Sequence, residues 1–105
     1  MQVITVDKDI KDYEQITVSS TAIGCTTTKI TATSGDMLGR VASEIFFRVE
    51  SNTIRYRCDG TDPTTSVGIP LYAGETLILR SPNSIKKFMA IRVSADATLN
   101  AEYRY

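Results

Sequence analysis

The last nine residues, ATLNAEYRY, alternate strictly in character. Ala97, Leu99, Ala101, Tyr103 and Tyr105 fall on one side, and Thr98, Asn100, Glu102 and Arg104 on the other. A period of two marks a strand with one face in a core and one in water. A helix would scatter both sets around its axis. The same beat recurs upstream. In KKFMAIRVS, Met89, Ile91 and Val93 share one face, and Phe88, Ala90 and Arg92 share the other. This predicts a hairpin of 87–94 with 97–104, turning at Ala95-Asp96. VASEIFFRVE (41–50) puts Val41, Ile45, Phe47 and Val49 on one side. After Ser51-Asn52, TIRYRC (53–58) returns with Ile54, Tyr56 and Cys58 opposite Arg55 and Arg57, which predicts a second hairpin.

The remaining segments follow the same logic. Residues 70–80 contain the turn signal Ala73-Gly74 and then the strand GETLILR; SPNS (81–84) reads as a loop that Ile85 anchors. QITVSS (15–20) and TTTKITAT (26–33) read as strands, and SGDMLG (34–39) as a turn. Residues 1–14, with VITV before a charged run, read as an N-terminal arm or edge strand ahead of a single β domain at 15–105. The chain has 14 threonines and many valines and isoleucines, residues that suit pleated surfaces. At 105 residues it supports one core. Short strands with turns between them predict an all-β fold, an antiparallel β-sandwich or jelly-roll-like barrel of about seven or eight strands. Ile91, Val93, Leu99, Leu77, Ile54 and Phe47 are the expected core.

Twelve basic residues balance twelve acidic ones. That argues against nonspecific nucleic-acid binding, which needs a basic excess. No apolar run approaches the roughly 18 residues of a membrane span. The N-terminus lacks the pattern of a secretion signal, which points to a cytoplasm-like compartment. There is no histidine, so a Ser-His or Cys-His nucleophile is excluded. Cys25 and Cys58 do not match a zinc spacing and read as small buried thiols, with a disulfide the minority alternative. Glu75 and Glu102 fall on different strands with nothing to unite them as an acid/base pair. The expectation is therefore no enzyme activity and no cofactor.

Two groups of residues remain as candidate sites. Asp59 and Asp62 sit in CDGTDPTT, either as oxygen ligands for a hard cation or, the favoured reading, as parts of an Asp-Gly turn stiffened by Pro63. Arg55 and Arg57, with Arg48 or Arg92, either form a docking patch or lie on a solvated face paired with Glu44, Glu50 or Glu102. Arg55, Arg57, Arg92, Asp59 and Asp62 are thus the candidate partner-binding residues.

The run IRYRCDGTDPTTSVGIPLYAGETLIL, followed by IKKFMAIRVSADATLNAEYRY, resembles small virion-associated structural proteins of tailed bacteriophages. The shared pattern is D-G-T-x-P-T at Asp59 to Thr64, G-x-x-L at Gly68 to Leu71 and G-E-x-L-x-L at Gly74 to Leu79. It continues with F-x-A-I-R-x-S at Phe88 to Ser94 and A-T-L-x-x-x-Y at Ala97 to Tyr103. The resemblance covers about half the chain. It implies a capsid decoration or cement protein on the virion surface, made in the host cytoplasm and acting as a homo-oligomer, a trimer by that likeness. Its partner would be the major capsid protein. A tail or neck component and a carbohydrate-binding adhesion module are the alternatives; the absence of tryptophan weighs against the last.

Overall fold

The computed structural model describes residues 8–33 and 38–105. Among the described residues, eight strands and two short helices follow one another: β1 (Ile10–Val18), β2 (Ile23–Gly24), α1 (Thr27–Ile30), β3 (Glu44–Ser51), β4 (Ile54–Arg57), β5 (Ile69–Leu71), β6 (Thr76–Leu79), α2 (Pro82–Lys87), β7 (Met89–Arg92) and β8 (Ala97–Arg104). They form two four-stranded sheets, in the orders β1-β8-β3-β6 and β2-β7-β4-β5. Every named strand pair is antiparallel. The all-β sandwich read from the alternation is the observed architecture.

The alternation also fixes the core. From the first sheet, Ile16 and Val18, Ile45, Phe47 and Val49, and Ala97, Leu99, Ala101 and Tyr103 are buried. Ile54 and Ala90 face them from the second sheet, and Ile85 and Phe88 come from α2 and the residue after it. Phe88 stacks on Phe47 at 4.4 Å between ring centroids and on Tyr56 at 5.8 Å. This aromatic column joins the two sheets across the core.

Both expected hairpins are absent. β3 and β4 lie in opposite sheets, as do β7 and β8. At the first crossing, Asn52 takes a left-handed φ of 64° and its side chain donates to the Asp96 carbonyl at 2.7 Å. The Val93 N–H donates to the Thr53 carbonyl at 3.1 Å. The two connections thus brace each other as adjoining corners of the sandwich. A short polar turn permits a hairpin or a corner equally, and the choice follows from where the apolar faces meet. Ile54 is fully buried in the core, and Tyr56 stacks on Phe88, which in turn meets Phe47 of the opposite sheet.

The face of β7 is also the reverse of the expected one. Phe88 and Ala90 point into the core, whereas Met89 and Val93 are only half-buried. Ile91 is buried on the other side of the sheet, beside Arg55 in the ladder. Leu77 is half-buried on β6, at the open edge of its sheet.

Two local expectations give way to helix. TTTKITAT holds the single turn α1, where Ile30 plugs the core and Lys29 pairs with Asp12 at 3.1 Å. Burial of Ile30 overrides the β preference of three threonines. SPNS begins α2, with Pro82 in its first turn and the Ile85 N–H bonded to the Ser81 carbonyl at 3.0 Å. Proline fits a helix start because its missing N–H would have had no helical partner. Ile85 anchors this segment, being fully buried. Of residues 1–14, positions 1–7 with VITV lie outside the described residues, and residues 10–14 belong to β1, an edge strand paired with β8. Part of the 34–39 turn, residues 34–37, is likewise outside them.

Candidate partner-docking site

The chain between β4 and β5, residues 58–68, folds back over the outer face of its own sheet. Arg55 organises it. Its Nε donates to the Thr65 carbonyl at 3.2 Å and its Nη1 to the Gly68 carbonyl at 2.8 Å. Pro63 is buried beneath the loop. Gly68 has φ of 142°, and a Cβ there would lie 3.1 Å from the Cβ atoms of both Arg55 and Pro63. Thr64 closes the tip: its Oγ1 accepts the Val67 N–H at 2.9 Å, and its own N–H donates to the Val67 carbonyl at 2.8 Å. The result is a compact loop whose shape is set by its own bonds.

Arg57, two residues along β4, grips Asp59 with both arms of its guanidinium. Nε reaches Oδ1 at 3.0 Å and Nη2 reaches Oδ2 at 2.5 Å, while the Thr61 N–H adds 3.3 Å to Oδ1. The hydrogen bond from Arg57 is the leading cause that brings the Asp59 carboxyl down to about 2. Gly60 follows with φ of 88°, as an Asp-Gly turn requires. Asp62 is exposed on the loop. Among the described residues no cluster of three or more histidine, cysteine, aspartate or glutamate side chains could hold a metal ion.

The five candidate residues therefore do not form one patch. Arg55 is turned onto the loop carbonyls. Arg57 and Asp59 hold each other. Arg92 pairs with Ile54 in the ladder, out of phase with Arg55 and Arg57, and binds Asp96 at 2.5 Å across the corner to β8. The expected ion pairs from this face to Glu44 and Glu102 are not made by Arg55, Arg57 or Arg92. Those glutamates serve the other sheet, where Arg104 binds both.

What the fold assembles instead is an open groove of about 520 Å³ lined by Arg57, Cys58, Asp59, Val67, Gly68 and Ile69. Its walls are chiefly apolar, and the Arg57–Asp59 pair forms its charged rim. Val67 is 52 % exposed, Ile69 56 % and Tyr72 56 %, so three large apolar side chains stand in water along one short edge. Their signal in the sequence was an apolar pair, Val67 and Ile69, inside a segment otherwise built of turn residues.

β5 is the edge of its sheet, and Pro70 sits opposite Arg55. Proline cannot take part in a hydrogen-bonded pair, so in the antiparallel alternation its neighbours turn their polar groups to β4 and Pro70 faces the open edge without an N–H. This guards the edge against strand addition. A partner there would meet side chains.

A second cavity of about 470 Å³ lies at the other end of the sheet, beside Gly24, Cys25, Ile30, Lys86 and Met89. Behind it, Tyr103 donates its hydroxyl to Glu14, and the Thr26 hydroxyl reaches the same carboxylate at 2.7 Å. Burial pushes the Tyr103 hydroxyl far up and the Cys25 thiol up to about 12. At neutral pH Cys25 is held as the thiol, which is neither the nucleophilic nor the metal-binding form.

No known family model, curated protein or solved structure matches the chain.

Proposed function

We propose that the chain is a structural protein of a tailed-bacteriophage virion, a capsid decoration or cement protein that binds the major capsid protein as a homo-oligomer. The observation that carries this reading is the surface around β5. Val67 stands on a loop that Arg55, Pro63 and Gly68 hold in one shape, and Ile69 and Tyr72 stand on β5 and just after it. A rigid apolar patch with a polar rim suits docking of one protein on another, because little conformational freedom is lost on contact. The positions of the phage-protein resemblance fall on the parts that build this surface: Asp59 and Gly60 make the turn, Pro63 is the buried wedge, Gly68 lies under Arg55, and Leu71 roots β5 in the core. Net charge of zero suits assembly through shape.

The test is binding to expanded capsids that lack the protein, followed by sedimentation. The purified chain should form a discrete oligomer and co-sediment with the capsids. The double variant Val67→Glu, Ile69→Glu should stay folded and bind at least about tenfold more weakly, as loss of central apolar contacts does. A monomer that ignores the capsids would refute the reading. Binding to tail or neck structures alone would move the protein to that part of the particle, and binding to a glycan array alone would favour the adhesion module.

A further inference from the structure

We infer that Asp59–Gly60 is a site of spontaneous backbone isomerisation that Arg57 holds in check. An aspartyl-glycine bond has the chemistry for this. The Gly60 amide nitrogen attacks the side-chain carbonyl carbon of Asp59; a C–N bond forms, the C–O bond to the carboxyl hydroxyl breaks, and one water leaves with the amide proton. The five-membered succinimide then takes up one water. Opening at the α-carbonyl leaves the chain running through the Asp59 β-carbon, as isoaspartate. Atoms balance across the two steps, and water is the sole co-reactant.

The local structure both exposes this linkage and restrains it. Gly60 carries no side chain to hinder attack by its nitrogen, and the space where one would stand is open. Asp59 is 56 % exposed at its side chain. Both carboxylate oxygens are held by the Arg57 fork, and one also accepts the Thr61 N–H. The ring closes only when the carboxyl group rotates towards the Gly60 nitrogen and carries a proton on its departing oxygen. A bidentate guanidinium opposes both, since it fixes the carboxylate plane and favours the ionised form.

The location gives the event a consequence. Asp59 and Arg57 form the rim of the 520 Å³ groove. Isomerisation inserts a methylene into the backbone there and pulls the carboxylate out of the fork, so an aged molecule presents an altered rim beside Val67 and Ile69. The chemistry does not depend on which partner the groove meets.

The test is storage of the purified full chain and of Arg57→Gln at 37 °C and pH 6, with isoaspartate at position 59 measured by electron-transfer fragmentation mass spectrometry. Isoaspartate should accumulate about fivefold faster in Arg57→Gln, the scale expected for losing one exposed ion pair with good geometry. Arg57→Lys, which keeps the charge and loses the fork, should fall between. A natively folded Arg57→Gln that isomerises at the unmutated rate would overturn the inference. Should that variant not fold, the unmutated chain is compared in 20 mM and 1 M sodium chloride: faster isomerisation in high salt supports the restraint, and an equal rate overturns it.

Discussion

Arg104 and Glu44 form an ion pair almost sealed from water: Nη1 lies 2.9 Å from Oε2, and the side chains are 3 % and 4 % exposed. The pair ties β8 to β3, directly opposite each other in the ladder. Arg80, just past β6, adds a bond to the other Glu44 oxygen at 3.1 Å, and Glu102 takes the remaining arm of Arg104 at 2.8 Å. Replacing Glu44 with Gln leaves a buried guanidinium partly unpaired. The expected loss is about 2–4 kcal/mol in denaturant unfolding, below the extreme for a broken buried pair because Glu102 remains.

The same pair predicts an acid response. The hydrogen bond from Arg104 leads the effects that hold the Glu44 carboxyl below its ordinary 4.5. Its folded value is therefore depressed, so its contribution is complete above about 4.5 and is lost as pH falls through the folded value. Melting curves from pH 6 down to 2.5 should show the gap between the unmutated chain and Glu44→Gln closing below pH 4.5. A gap that stays constant would show that Glu44 does not titrate with folding.

Gly68→Ala should loosen the β4–β5 loop. The added Cβ enters at 3.1 Å from two neighbours and 3.3 Å from the Tyr56 carbonyl, at a φ that L-residues resist. A cost of about 1–3 kcal/mol follows. Hydrogen exchange at the Val67 amide, whose bonds to Thr64 close the loop tip, should rise in this variant while core amides of β8 change less.

The cysteines should remain separate under mild oxidant. Gly24 and Arg57 pair with Met89 from opposite sides, so Cys25 and Cys58 follow at two strand spacings, about 9–10 Å. A disulfide needs Cα atoms within about 7 Å. Both thiols are free in the structure. Alkylation at pH 8 with peptide mapping should label Cys58 well before Cys25, whose thiol is the more strongly raised. Neither is the fully buried thiol the sequence suggested, since both are half-buried; fast labelling of Cys25 would contradict its raised thiol.

Leu99→Ala should cost roughly 2–5 kcal/mol, because Leu99 is fully buried between Ile16 and Val49 in the ladder. A loss below about 1 kcal/mol would mean that the core does not rest on this face.

Strict alternation made the inner faces of β8 and β3 legible, and both Leu99 and Phe47 are buried as their spacing required; Arg104, on the face expected in water, is instead buried with Glu44. Ile54 follows the same rule on β4. Alternation says which residues share a face; it does not say which sheet the strand joins. Hence the turns at Ser51-Asn52 and Ala95-Asp96 were readable as turns and not as corners. KKFMAIRVS carries apolar residues on both faces, so alternation alone could not choose between them; the reading favoured Ile91 and Val93, whereas Phe88 with its aromatic partners takes the inward side. At the candidate site the Asp-Gly turn was visible in sequence. The grip of Arg55 on Thr65 and Gly68 was not, since it depends on a loop closing over a strand 10 to 13 residues earlier.

The central proposal is that this sandwich is a surface component of a phage capsid, and the most direct measurement is its copy number and position in the virions proposed to carry it. Quantitative mass spectrometry with labelled-particle imaging should find copies on the order of hundreds, on the outer face of the capsid, as a closed oligomer repeated over a symmetric lattice requires. Absence from the particle, or about a dozen copies or fewer confined to the tail, would contradict it.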